Sequence, residues 1–342
     1  MAEQALSIPP SLTKVPERDW RAVGLDTLLK EAREPFVVRG LVADWPLVAV
    51  GKSGARAARR YLLDHARDRP FTVSIGSPGH DGRMFYDTDM QMNFRTGTGK
   101  LADIFAGIDK AEELGENRTV YLASIDIPSH FDGLDAANPI DLGMRDPLKS
   151  IWIGTRTLIA AHNDFPDNLA CVAVGRRRFT LFPPDQFRNL YLGPIDNTPA
   201  GRTVSMVDFN DPDFERYPRF REALEHAMVA ELGPGDAIHI PMMWWHHIEG
   251  LDPFNVLVNY WWRDTPRWLG QPQDALNHAI LSIRDLPPEQ KAHWRALFDH
   301  YVFANGDDVT EHLPEGMRGI LDPLTHETAS RIRAYLLRQL SR

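Results

Sequence analysis

The apolar positions of this chain change their period twice. Up to residue 119, short apolar runs are interleaved with stretches of helical spacing. Leu25 to Arg33 predicts a short helix, Pro35 to Gly40 a buried strand closing on glycine, and Trp45-Pro46 the end of the next turn. Arg56 to Ala66 and Lys100 to Leu114 space their apolar residues as helices do, and Phe71 to Ile75 alternates as a strand. Residues 1 to about 20 are polar and punctuated by proline, which predicts a surface arm.

From 120 to 263 the period becomes that of strands. Val120 to Ala123, Ile151 to Gly154, Thr157 to His162, Leu169 to Val174 and Arg178 to Phe182 follow one another between Gly, Pro and Asp. A long irregular stretch, Tyr191 to Pro218, leads into a short helix from Arg219 to Ala227. Strands resume with Val229 to Leu232, turn at Gly233-Pro234-Gly235-Asp236, and continue as Ala237 to Pro241 and Asn255 to Trp262. Short strands at this spacing predict a sandwich or barrel. An irregular stretch of that length inside a compact domain marks function more often than idle connection. From 264 to 342 helical spacing returns, with one helix starting at Pro287-Pro288 and another capped by Thr325.

The layout is therefore three-part: helices and strands over 1–119, a β-barrel over 120–263 and a helical region over 264–342. Composition narrows the class without altering this picture. A net charge of -9 lacks the positive face that phosphate neutralisation requires, so nucleic acid is not expected as a partner. One cysteine cannot form an internal disulfide, and no apolar run spans a bilayer, so a cytoplasmic, non-membrane protein is expected.

Candidate chemistry centres on His162-Asn163-Asp164. On a strand, residues two apart point the same way, so one imidazole and one carboxylate can face into a barrel together. A second, distant imidazole would complete the set of three ligands that holds a non-haem ferrous ion and leaves its other positions open. Three histidines compete for that place. His246 and His247 would point to opposite sides of an extended segment, and His239 sits at an odd offset; His246 is favoured. The structural alternative for the unused rings, and for Trp244 and Trp245, is core packing.

Four blocks, Leu181-Phe182-Pro183-Pro184-Asp185-Gln186-Phe187, Val207 to Pro218, Gly233 to Asp236 and Ile240 to Glu249, resemble the JmjC/cupin-like oxygenases. Among these, the likeness is to the asparaginyl hydroxylase that acts on hypoxia-inducible factor, and it runs from about Tyr121 to Trp262. The resemblance implies a double-stranded β-helix, a jelly roll of mainly β structure with flanking helices. It also implies Fe(II) held by His162, Asp164 and His246, with 2-oxoglutarate as co-substrate and dioxygen as oxidant. The co-substrate residues it implies are Tyr121, Asn168, Arg177, Asn259 and Trp261, with no catalytic residue needed beyond the metal ligands. Two positions depart from the hydroxylase: Arg177 stands where that protein has lysine, and Ile159 where it has threonine. Arginine can grip a carboxylate bidentately, whereas the lost hydroxyl removes about 1 kcal/mol of net hydrogen bonding. The expected activity is hydroxylation of a protein or peptide side chain. A small-molecule hydroxylase and a non-catalytic metal- or ligand-binding cupin are the alternatives. Histone demethylation has little support, since no zinc-binding Cys/His module accompanies the motif. The helices of the C-terminal region could pack on the barrel or pair across a two-fold axis; the resemblance implies a helical C-terminal dimer interface, so a homodimer is expected.

Overall fold

The computed structural model describes residues 12–77, 79–304, 306–314 and 316–341. The chain divides into two compact units, one ending at Trp262 and the other running from Arg263 to Arg342.

Among the described residues, the first unit is built on fourteen strands: β1 (Thr13–Lys14), β2 (Phe36–Val38), β3 (Phe71–Gly76), β4 (Arg83–Met84), β5 (Phe94–Gly99), β6 (Val120–Asp126), β7 (Leu148–Gly154), β8 (Leu158–Asn163), β9 (Asp167–Val174), β10 (Arg177–Phe182), β11 (Met228–Leu232), β12 (Ala237–Ile240), β13 (Trp245–Gly250) and β14 (Asn255–Trp262). They form an eight-stranded sheet, ordered β2-β12-β9-β14-β7-β6-β3-β5, and a six-stranded sheet, ordered β1-β11-β10-β13-β8-β4. The last eight strands pair from the outside inward: β7 with β14, β8 with β13, β9 with β12 and β10 with β11, all antiparallel. Apart from β10 and β11, which are neighbours in the six-stranded sheet, successive strands from β7 to β14 alternate between the sheets. A long hairpin wound in this way is a double-stranded β-helix, the jelly roll that closes an antiparallel barrel with few free edges.

Burial explains the sequence pattern. Between the sheets pack Ala170, Val172, Ile238 and Leu257 from one side and Phe179, Leu181 and Leu232 from the other. The outer face of the large sheet is covered by helices Pro46–Lys52, Ala55–His65 and Leu101–Glu113, whose Leu47, Leu62, Phe105 and Ile108 join Leu169, Cys171 and Val258 in the largest apolar cluster. Strands β9 and β12 are buried on both faces, so they read as continuous apolar runs rather than alternating ones. Leu101, Phe105, Ile108 and Ala111 bury one stripe of their helix, as an amphipathic helix on a sheet must.

Two local expectations change. Trp45-Pro46 does not end a turn but starts a helix, with Pro46 in the first turn where its missing N–H costs nothing. Within the predicted surface arm, residues 1–11 lie outside the described residues, while Thr13–Lys14 is a strand paired in parallel with β11. The Gly233–Asp236 turn takes its shape from Gly235 at φ 103° and from Asp236, whose carboxylate accepts the backbone N–H groups of Gly40 and Gly233. Glycine is needed at 235 because that φ is costly for any residue with a Cβ.

The second unit contains helices Pro272–Ser282, Pro288–Phe298 and His326–Leu340. Thr325 caps the last of these through a reciprocal pair of hydrogen bonds with Thr328.

Candidate metal centre

His162 on β8 lies directly opposite His246 on β13, and their rings approach to 4.4 Å between centroids. His246 therefore sits on a strand of its own, not on an extension of the strand ending at Ile240. Asp164 lies one residue beyond the end of β8, so it shares the mouth with His162 but not the strand. One ligand atom from each of the three residues falls within 4.8 Å of the others, and His246 Nε2 is 3.6 Å from Asp164 Oδ2.

A β-bulge makes this convergence work. Between the pairs Ile159↔Ile248 and His162↔His246, β8 advances three residues while β13 advances two. The extra residue lets both Ile159 and His162 face the interior, which strict alternation would forbid. Beyond the strand, the loop that leads into β13 is tied down by the Met243 N–H, which donates to the Asp164 carbonyl at 2.8 Å. Met243 is held there at φ 67°, a left-handed conformation that a long side chain seldom adopts.

The donor set suits a cation. His162 Nδ1 lies 2.9 Å from the Ala160 carbonyl and His246 Nδ1 3.0 Å from the Trp244 carbonyl. Each carbonyl fixes the proton on Nδ1 and leaves the Nε2 lone pair free, the tautomer that metal-binding histidines adopt. Burial, reinforced by the His246 ring, pushes His162 down to about 4. Burial works to raise the Asp164 carboxyl, but the hydrogen bond and charge of His246, with smaller help from His162 and Arg202, outweigh it and hold the group at about 2. Two imidazole nitrogens and a carboxylate oxygen converging in this way are the donor types that a divalent metal ion takes.

The competing histidines point elsewhere. His247 turns to the opposite face of β13, where its ring packs 4.6 Å from Phe209 and burial pushes it down to about 3. His239 lies between Phe36 and Trp262, with Nε2 3.7 Å from Asp167 Oδ1.

The five residues that the resemblance implies for the co-substrate are neighbours inside the barrel. Asn259 on β14 accepts the Trp152 indole N–H at 2.8 Å and faces the Asn168 amide oxygen at 3.4 Å. Trp152 stands 5.9 Å from both Tyr121 and Trp261, centroid to centroid. Ile159 packs with Tyr121 and Met84 on the same side. Asn259 thus orients Trp152 and Asn168. Trp152 escaped the sequence reading because a tryptophan in a strand looks like any core aromatic; only the pairing of β7 with β14 brings it to Asn259.

Arg177 is the exceptional residue. It is 1% exposed, has an unpartnered Nε, and finds no carboxylate within ion-pair distance among the described residues. Burial lowers its pKa, and only the Tyr121 hydroxyl works against that fall. An isolated buried charge is expensive, so such a guanidinium marks a place for an anion.

With this geometry in view, comparison with known proteins is informative. Residues 27–267 match the family described as a cupin-like domain. The chain belongs to that family. Over 144 residues it is 31% identical to human HSPB1-associated protein 1, covering 41% of this chain and 28% of that protein. It is 35% identical over 104 residues to Lysine-specific demethylase JMJ31 of Arabidopsis thaliana, covering 30% of this chain and 18% of the relative. It is 28% identical over 145 residues to tRNA wybutosine-synthesizing protein 5 of Gallus gallus, covering 38% and 42%. The aligned stretches thus span well under half the length of these relatives. The matched span, residues 27–267, contains the barrel strands and the His162, Asp164 and His246 cluster.

Proposed function

We propose that this cupin-like protein is an Fe(II)- and 2-oxoglutarate-dependent oxygenase that hydroxylates a protein or peptide side chain. The observation that carries the reading is the convergence of His162, Asp164 and His246 with both Nε2 lone pairs free. The protein supplies a facial ligand set and leaves the remaining positions to co-substrate and dioxygen. Ferrous iron with 2-oxoglutarate, when bound, supplies the activation of dioxygen and the removal of hydrogen from a substrate carbon.

Each remaining part falls to the chain's own residues. Arg177 offers its fork to the distal carboxylate of the co-substrate, and Tyr121 holds that fork in place. Asn168, positioned by Asn259, and Trp261, beside Trp152, would hold the co-substrate together with Arg177. The surrounding aromatic rings keep water from the reacting atoms. In keeping with this reading, a reducing compartment such as the cytoplasm suits the single buried thiol of Cys171. Among the described residues no helix is long and apolar enough to cross a membrane. The net negative charge favours a protein substrate over nucleic acid.

Purified protein is expected to bind about one ferrous ion per chain and to release succinate from 2-oxoglutarate in the presence of dioxygen. His246→Ala should lose the metal, while His247→Phe, changed on the opposite face, should retain it. Metal analysis and succinate assay make the check; retention of iron by His246→Ala would count against the assignment.

A further inference from the structure

Beside the metal ligands the structure holds a cation that the reading above does not use. Residues 191–206 form a small hairpin: the Gly193 N–H donates to the Val204 carbonyl at 2.9 Å and the Met206 N–H to the Tyr191 carbonyl at 2.9 Å. The hairpin is fastened to the metal-binding strand by the Ser205 N–H, which donates to the Ala161 carbonyl at 2.7 Å. Its tip is fastened on the other side, where Asn197 accepts from the Tyr86 hydroxyl and donates to the Met90 carbonyl. A loop held at both ends keeps its side chains where they stand.

Arg202 rises from this hairpin and lays its guanidinium over the ring of Phe165, 4.1 Å from the centroid. Phe165 is the residue immediately after Asp164, so the guanidinium stands at the entrance to the candidate metal centre. Its charge is felt at both His162 and Asp164. Of the other guanidiniums stacked on rings in this unit, Arg59, Arg83 and Arg145 pair with carboxylates, whereas Arg21, Arg188, Arg216, Arg219 and Arg221 form no ion pair among the described residues; what sets Arg202 apart is its place on the ring next to Asp164. Arg202 has no carboxylate within ion-pair distance among the described residues, and it is only half-buried. Stacking on Phe165 fixes the plane of the fork and leaves its N–H edge free for a planar anion.

We propose that Arg202 is a substrate-specificity residue, gripping a carboxylate of the primary substrate beside the carbon to be oxidised. The inference rests on the oxygenase reading for its purpose, though not for its chemistry. A carboxylate fits better than a phosphate cluster, because one fork serves one carboxylate and the chain as a whole is acidic. The carboxylate can come from an acidic side chain of a peptide or from a free small acid.

The probes are a blocked tripeptide, acetyl-Gly-Glu-Gly-amide, its glutamine counterpart, and free butyrate, each with 2-oxoglutarate at saturation. Saturation-transfer NMR on the metal-free protein measures binding, and line broadening by Mn(II) in a parallel sample measures approach to the His162 and Asp164 side. The acidic tripeptide should bind about tenfold or more tightly than the glutamine form, the size of a charge-assisted hydrogen bond, and Arg202→Gln should erase that preference. Tight binding of the tripeptide alone assigns the carboxylate to a polypeptide substrate, and equal binding of butyrate assigns it to a small acid. Equal affinity for the glutamate and glutamine forms, or a preference that survives Arg202→Gln, overturns the proposal. An Arg202-dependent preference without broadening by Mn(II) would keep this subsite and overturn the metal-centre reading instead.

Discussion

Arg177 carries the sharpest consequence at the scale of single residues. On the sequence it belongs to the basic run Arg176-Arg177-Arg178, and it alone of the three is buried, while Arg176 and Arg178 meet Asp252, Glu231 and Glu249. Its burial follows from register: 177, 179 and 181 of β10 face inward and 178 and 180 outward. Removing a buried charge that lacks a counter-ion tends to leave stability unchanged or higher. Arg177→Met is therefore expected to keep or raise the melting temperature while weakening 2-oxoglutarate binding about tenfold or more, and calorimetry reads both effects. A variant that melts lower and binds 2-oxoglutarate as before would show that the guanidinium is structural. The same burial logic explains why Trp152 could not be singled out from the sequence: its indole N–H matters only because Asn259 stands across from it.

At the scale of elements, β13 divides its side chains between two environments. His246 and Ile248 look into the barrel, whereas His247 and Glu249 look out beneath other chain segments. Glu249 is 1% exposed, and burial raises its pKa against the opposing charge of Arg178, 3.7 Å away, with Glu231 adding to the rise. In the unfolded chain this carboxyl loses its proton near its ordinary value of 4.5, and in the folded protein it does so at higher pH. The folded state then binds more protons than the unfolded state through that interval, so the group's contribution to stability falls as pH rises. Glu249→Gln should flatten this slope and gain stability over the wild type between about pH 5 and pH 7, the range above an ordinary carboxyl. Urea denaturation at several pH values tests it; parallel pH profiles for the two proteins would refute it. The bulge on β8 belongs to this scale as well, since it is a property of paired strands and leaves no mark in the text of Ala160-Ala161.

The whole molecule raises a different question, because its second unit is poorly buried. Helices Pro272–Ser282 and Pro288–Phe298 bury no residue, and His326–Leu340 buries only Ala329. Leu281, Val302, Phe303, Ile320, Leu337 and Leu340 are each more than half exposed. Apolar surface on this scale is characteristic of an interface, and a two-fold partner presenting the same helices would cover it. A homodimer is the expected state in solution. Sedimentation at micromolar concentration should give twice the 38.8 kDa chain mass, and Leu337→Glu together with Leu340→Glu should shift it toward the monomer. A wild-type protein that sediments as a monomer would remove the dimer.

What the sequence determined by itself is the class of fold and the residue types that converge. Strand spacing and turn residues are local properties, so the succession from Val120 to Trp262 reads as a sandwich or barrel without coordinates, and the resemblance of its motif blocks narrows that to a jelly roll. A His-x-Asp followed by a distant histidine could be named as a candidate ligand set for the same reason: each residue type carries its donor chemistry wherever it is placed. What only the tertiary structure decided is orientation and neighbourhood. It turned His246 toward His162 and His247 away from it, buried Arg177 beside Tyr121, tied Trp152 to Asn259, and set Arg202 on Phe165 at the mouth. Those relations depend on strand register, one bulge and a fastened hairpin, all contacts between residues far apart in the chain, and local sequence does not specify them.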